Sequence, residues 1–201
     1  MPDYNGLTPD ESSALSLKDR AYRIIRQNII RCAFPPGCLL NEKELVEKIG
    51  VSRTPIREAL SLLAQEQMVT IVPQRGSFVT EITPKSINDV YQVREMLEPQ
   101  VIKMITPVVA EGDLLQYRGR FAAMSPGDYE LAMTADKEFH NFIVQAANNT
   151  YLMNLMDKLY AQNERIRVVS TRMPRRLEQA TAEHLEIIDA MLLRNGAKAA
   201  E

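Results

Sequence analysis

The chain has 201 residues, 25% of them charged and 45% hydrophobic, with a formal net charge of −2. That length admits a small module and a larger companion, and the sequence carries neither an apolar run of membrane-spanning length nor a signal-peptide pattern nor the cysteine framework of a secreted domain. The near-neutral sum hides a division: residues 17–82 hold 10 Lys and Arg against 7 acids, while residues 83–201 hold 14 against 16, so overall charge does not exclude a nucleic-acid partner for a local basic patch.

Residues 1–16 are polar, with Pro2, Gly6 and Pro9 and no apolar core, and read as a disordered tail. Leu17 to Cys32 follows as a helix, with Leu17, Tyr22, Ile25 and Ile29 or Ile30 at helical spacing, and Pro35-Pro36-Gly37 breaks the chain. The two cysteines, Cys32 and Cys38, flank that break. Two reduced thiols or one short-range disulfide are both compatible with the spacing.

A helix from Glu42 to Ile49 carries Leu45, Val46 and Ile49 on one face, and Gly50 ends it by supplying a left-handed turn without a Cβ clash. A second helix starts at once. Ser52 suits the N-cap and Pro55 the first turn, with Ile56, Leu60 and Leu63 as the buried stripe. This leaves Ser52, Arg53, Thr54 and Arg57 facing outward at the leading end. A recognition helix enters the major groove by that end, where arginine can give two hydrogen bonds to guanine and hydroxyls and helix amides can bind phosphate. The bland alternative is a pair of solvated arginines on a surface helix. Met68–Ile71 and Ser77–Ile82 then read as two strands joined by Pro73-Gln74-Arg75-Gly76, a wing with a basic tip.

From Thr83 onward strand signals vanish and about five helices remain. The first is expected from Pro84 to about Ala110, strained by Pro99 and Pro107, and a short one from Asp113 to Ala123. Tyr129–Ala147, Tyr151 to about Thr171 and Pro174–Leu193 are strongly periodic. Asp136 and His140 lie one helical turn apart and face the same way, so they could share one metal ion. The only other histidine is His184. Both histidines sit on apolar helical segments, where a hydrogen-bonded core imidazole is the competing reading. There is no HExxH, no CxxC pair and no glycine-rich phosphate loop. With no obvious general base beside the histidines, the chain is expected not to be an enzyme.

The stretch from Leu17 to Val79, LKDRAYRIIRQNIIRCAFPPGCLLNEKELVEKIGVSRTPIREALSLLAQEQMVTIVPQRGSFV, resembles the winged-helix domain of the GntR family of bacterial transcription regulators. The resemblance covers that whole domain. It implies that Lys43, Ser52, Arg53, Thr54 and Arg57 contact DNA, with Arg75 and Gly76 touching the minor groove from the wing tip. Many relatives have an arginine where Lys43 stands, and lysine keeps the charge but loses the bidentate fork, which favours a phosphate contact over a base contact.

A GntR winged helix followed by an all-helical domain with Asp136-x-x-x-His140 and a later Glu183-His184 resembles the FadR-type subgroup, whose ligand-binding domain is called FCD. The fold implied is mainly α: a winged helix-turn-helix of three helices and a β-hairpin over residues 17–82, then a helical bundle for effector binding and dimerisation over residues 83–201. In that family an Asp and three histidines bind a divalent metal, zinc or nickel, that helps hold a small carboxylate effector. Asp136, His140 and His184 match the first three ligands. The third histidine belongs on a final helix beyond His184, and the sequence has no further histidine, so the bundle is expected to lack its last helix or the site to be incomplete.

Arg94 matches a position at which the family often points an arginine at the effector carboxylate, a task that suits a guanidinium fork. A salt bridge to Glu98, four residues on, is the alternative. Tyr91, Asn163 and Arg167 are further cavity candidates by position. The expectation is a cytoplasmic homodimer on a pseudo-palindromic operator, a repressor more than an activator, controlled by a carboxylate metabolite. The rival reading keeps the winged helix and makes the helical domain only a dimerisation scaffold.

Overall fold

The computed structural model describes residues 2–3, 15–125, 127–170 and 174–201. The tail expected over 1–16 and the middle of the expected Ser125–Gly127 break fall largely outside these residues. The chain divides into two compact units, one comprising Met1–Ile87 with Tyr160–Val169, the other Asn88–Leu159 with Ser170–Glu201.

In the first unit, α1 (Leu17–Ile30) is capped by Ser16, whose Oγ accepts the N–H of Asp19 at 3.1 Å. Arg31 and Cys32 fall beyond its end, and Leu17, assigned above to the apolar face, is instead 55% exposed. The helix α2 (Glu42–Ile49) begins at Asn41, whose Oδ1 accepts from the N–H groups of Lys43 and Glu44. It ends at Gly50 with φ 75°, the left-handed turn that a residue with a Cβ adopts only at a cost. Then α3 runs from Arg53 to Gln65, and Ser52 has the extended N-cap backbone but no side-chain capping bond.

Three antiparallel strands follow the order β1-β3-β2, with β1 at Leu39–Leu40, β2 at Val69–Val72 and β3 at Gly76–Val79. Thr70 pairs with Phe78 and Ile71 with Ser77 across the hairpin, while Leu39 pairs with Phe78 on the other side. The strand expected to reach Ile82 stops at Val79. Gly37 and Cys38 bracket Val79 with two backbone hydrogen bonds, and Thr80 turns its N–H back to Met68. A two-residue β1 is too short to register as alternation in a sequence.

The core of this unit joins Ile25 and Ile29 of α1, Leu45 and Ile49 of α2, Ile56, Leu60 and Leu63 of α3, and Val69 and Val79 of the sheet. Ala161, from the segment Tyr160–Val169 assigned to this unit, completes it. On the same segment Gln162 Nε2 donates to the carbonyl of Glu66 at 3.2 Å, and the fully buried Arg165 donates from Nη2 to Thr80 O at 2.5 Å and from Nη1 to Gln162 Oε1 at 2.7 Å. These bonds satisfy carbonyls at the end of α3 and after β3 that the sheet leaves unpaired. Burial pushes the Arg165 guanidinium below its ordinary pKa, because desolvation disfavours the charged form. Both cysteines are free thiols.

The remaining helices are α4 (Pro84–Ile105), α5 (Glu111–Ala122), α6 (Tyr129–Ala146), α7 (Thr150–Ser170), α8 (Pro174–Leu192) and α9 (Gly196–Ala199). Thr83 and Ser86 cap α4 reciprocally: each backbone N–H donates to the other's hydroxyl. The helix runs on through Pro99, whose missing N–H leaves only the Glu95 carbonyl without its helical donor. It ends at Ile105 and not at Ala110, because Pro107 disfavours helical backbone in the residue before it. Arg194 then closes the end by donating from Nη1 to the carbonyls of Thr106 and Val109 at 2.7 and 2.8 Å. The core of the second unit gathers Ile105, Phe121, Phe139, Ile143, Ile188 and Met191 from four helices and includes Ala199 of α9, a turn the periodicity did not reveal.

Candidate functional site

Two constellations carry chemistry, one in each unit. In the first unit α3 presents Arg53, Thr54 and Arg57 to solvent at its N-terminal end, with Ser52 exposed just before it. The buried stripe Ile56, Leu60 and Leu63 faces the opposite way and fixes that presentation. Arg57 Nε donates to Glu42 Oε2 at 2.9 Å, tying the start of α3 to the start of α2. Beside this pair, Lys18, Thr54, Arg57, Glu58, Ser61 and Leu62 line an open depression of about 500 Å³. Lys43 is exposed and lies 3.9 Å from Glu47, a surface pair of small energetic weight.

At the wing, Arg75 is exposed and its N–H closes the turn onto Val72 O at 3.0 Å. Gln74 and Gly76 take positive φ of 61° and 109°, and a Cβ on Gly76 would lie 3.0 Å from Leu39 Cδ1. The glycine is therefore required by the turn itself.

In the second unit, Asp136 and His140 on α6 meet His184 on α8. His140 Nε2 and His184 Nε2 are 3.3 Å apart, and Asp136 Oδ1 lies 3.9 Å from the first and 3.6 Å from the second. Donors about 2.0–2.2 Å from a tetrahedral ion sit about 3.3–3.6 Å from one another; two of the three separations fall in that range, and the third, between His140 and Asp136, is about 0.3 Å wider. The donor set therefore fits a divalent ion. Phe121 stacks on His184 with ring centroids 4.9 Å apart and Phe139 meets it edge-on at 5.5 Å, contacts that fix the plane of the imidazole ring.

Arg94, on α4, donates from Nε to Glu98 Oε1 at 2.8 Å and from Nη2 to Glu98 Oε2 at 3.2 Å. The guanidinium also lies over the Tyr91 ring at 5.6 Å. Of the further cavity candidates, Tyr91 stays in this unit, whereas Asn163 and Arg167 fall on the α7 segment of the other. The sequence names Glu98 as the salt-bridge partner of Arg94, and that bridge is present, but it gives no sign of Glu42 beside Arg57 or of Glu98 Oε2 lying 3.8 Å from His140 Nδ1. Neither pairing follows a helical spacing in the sequence.

The gntR family of bacterial regulatory proteins matches residues 17–79, and the FCD domain matches residues 89–201. The chain is similar to the HTH-type transcriptional repressor RspR of Escherichia coli K12, 28% identical over 90% of this chain and 81% of that protein. It is 31% identical to an HTH-type transcriptional regulator of Agrobacterium vitis, over 70% of this chain and 86% of that protein. The gluconate operon transcriptional repressor of Bacillus subtilis is 26% identical over 82% of this chain and 68% of its own length.

Among solved structures, a GntR protein from Rhodococcus sp. RHA1 has a TM-score of 0.77 at 23% identity, covering 92% of this chain and 91% of its own. Escherichia coli McbR/YncC has 0.73 at 19%, covering 92% of both chains. These two establish the shared fold. No helix among the described residues is long and apolar enough to cross a membrane. A DNA-binding winged helix joined to an FCD domain, in a chain whose relatives are transcription regulators and not enzymes, identifies this protein as a member of the GntR family of bacterial transcription regulators.

Proposed function

We propose that the protein is a cytoplasmic repressor that binds a pseudo-palindromic operator as a homodimer and is controlled by a small carboxylate held in its helical unit through a divalent ion. Lys43, Ser52, Arg53, Thr54 and Arg57 are its contacts along the major groove and Arg75 with Gly76 those at the wing. The exposure of Ser52, Arg53, Thr54 and Arg57 at the leading end of α3, of Lys43 on α2 and of Arg75 at the hairpin tip supports that assignment. The names of two relatives, both repressors, support the direction of control, and one of them is named for the operon of a sugar acid.

The observation that carries the effector reading is the convergence of Asp136 Oδ1, His140 Nε2 and His184 Nε2 within 4.8 Å. A bound ion would attract a carboxylate oxygen into its open position. Arg94 is engaged by Glu98 through both carboxylate oxygens, which favours the ion over Arg94 as the main partner of an effector carboxylate.

Apolar side chains that the second unit leaves exposed, among them Met96, Met104, Leu131 and Leu155, offer surface for a second copy, and a two-fold dimer matches two half-sites. Effector binding then shifts the population between spacings of the two recognition helices, to the extent that its affinity differs between them.

The test is selection from a randomised duplex library at physiological salt, repeated with zinc and with a panel of sugar acids and dicarboxylates. Enrichment of a two-fold symmetric site whose occupancy changes with one carboxylate only when zinc is present is the expected result. A symmetric site indifferent to every addition would reduce the helical unit to a dimerisation scaffold.

A further inference from the structure

His140 has two ring nitrogens, and they face two different carboxylates. Nε2 points to the donor cluster, 3.3 Å from His184 Nε2 and 3.9 Å from Asp136 Oδ1. Nδ1 lies across the ring, 3.8 Å from Glu98 Oε2. Glu98 thus approaches the nitrogen that faces away from the other donors, which makes it an unsuitable fourth ligand for the same ion. It is well placed for a different task. An imidazole that ligates through Nε2 is neutral and carries its one proton on Nδ1, and an acceptor for that proton fixes both the tautomer and the ring's direction.

Glu98 is itself held. Arg94, one turn earlier on α4, grips both of its oxygens, and the two side chains are only 15% and 17% exposed. A carboxylate with this little solvent needs a cation beside it, and the planar fork sets its orientation as well as its charge. The 3.8 Å separation is longer than a hydrogen bond, so the two groups must draw together to share a proton.

We infer that Glu98 is a positioning residue of the ion-binding centre. It accepts the Nδ1–H of His140 and so aims Nε2 at the ion, while Arg94 holds Glu98 in place. The inference rests on the reading of Asp136, His140 and His184 as ligands. It gives Arg94 a part in the centre that requires no contact with an effector, and it lets α4 contribute to a site whose ligands all come from α6 and α8.

The experiment is a zinc titration of the full chain, stripped with chelator, against a chromophoric competitor, for the unaltered protein and for His140→Ala, Glu98→Gln and Glu98→Asp, with melting of each metal-free form alongside. The unaltered protein is expected to bind one zinc per chain and His140→Ala to lose it. Glu98→Gln is expected to keep the stoichiometry but bind about 10- to 100-fold more weakly. Glu98→Asp keeps the charge for Arg94 but falls one methylene short of His140, and it should bind zinc more weakly while its metal-free melting stays close to the original. It also serves as the measurement if Glu98→Gln does not fold.

If Glu98→Gln or Glu98→Asp binds zinc as tightly as the unaltered protein while His140→Ala does not bind it, Glu98 has no such role and the ligand set stands. If His140→Ala binds zinc unchanged, the ligand set itself is wrong. A substitution of Glu98 that lowers only the melting temperature marks Glu98 as a structural partner of Arg94 and overturns the inference.

Discussion

Arg57 Nε donates to Glu42 Oε2 at 2.9 Å, so an arginine at the exposed head of α3 is braced by a carboxylate from the preceding helix. The pair is solvent-exposed, with 66% of the Arg57 side chain accessible, and contributes little to folding. Its consequence lies in binding. Arg57→Ala should weaken operator binding by about 1–3 kcal/mol, the worth of a good bidentate base contact, with little change in melting temperature. Glu42→Gln removes a negative charge beside the incoming phosphates and frees the guanidinium. It should tighten binding to any duplex at low salt and narrow the gap between operator and scrambled sequence. Anisotropy titrations on both duplexes over a salt series measure these effects.

At the wing, Gly76→Ala forces a Cβ onto a residue at φ 109° and against Leu39 Cδ1. The backbone strain should cost about 1–3 kcal/mol, read as a lower denaturant midpoint at unchanged slope. Arg75→Ala leaves the turn intact and should lower the affinity for all duplexes together with the salt slope, by about one unit if Arg75 meets one phosphate.

Zinc should stabilise the protein through the centre in the second unit. A ligand that binds only the folded form adds about 2.7 kcal/mol at a hundredfold excess over its dissociation constant. His140→Ala should abolish that rise in melting temperature and the bound metal measured by elemental analysis. A rise of equal size in the variant would return His140 and His184 to the role of core histidines, with His184 packed between Phe121 and Phe139.

The buried Arg165 donates to Thr80 O and Gln162 Oε1. Arg165→Met keeps most of the volume and removes the donors, which should cost about 1–3 kcal/mol for the orphaned acceptors. Arg165→Ala should cost more, the difference being the cavity it opens. Equal losses in urea denaturation would mean that hydrogen bonding, not packing, is what Arg165 supplies.

Arg118 Nε donates to Asp189 Oδ1 at 2.6 Å and holds the Asp189 carboxyl below the usual carboxylate range. A depressed carboxyl adds stability that is present above its unfolded value, about 3.9, and is lost as pH falls through the folded value. Asp189→Asn should therefore lower the melting temperature at pH 7 by a small amount and make no difference at strongly acid pH. The effect is small because both side chains are nearly half exposed.

The winged helix was largely readable in the sequence because its signals are local. The periods in Glu42–Ile49 and Arg53–Gln65, the left-handed Gly50 and the turn Pro73–Gly76 each act within a few residues, and the structure has a helix, a cap or a turn at each. The helical unit was readable element by element for the same reason, and its boundaries moved where a proline sets them, as at Ile105 before Pro107. Asp136 and His140 share a face of α6 by their spacing alone.

By itself the sequence determined the order of elements, which faces are apolar, and that Arg53, Thr54 and Arg57 stand at the head of a helix whose other side must be buried. Helical and strand periods are fixed by backbone geometry and need no knowledge of neighbours. Only the tertiary structure decided what crosses between elements: β1 at Leu39–Leu40 paired to β3, Arg165 reaching Thr80, Glu42 bracing Arg57, His184 brought to Asp136 and His140 and Glu98 set behind the ring of His140. Each of these depends on how helices and strands distant in the chain pack to fill a shared core, and no local pattern encodes that arrangement.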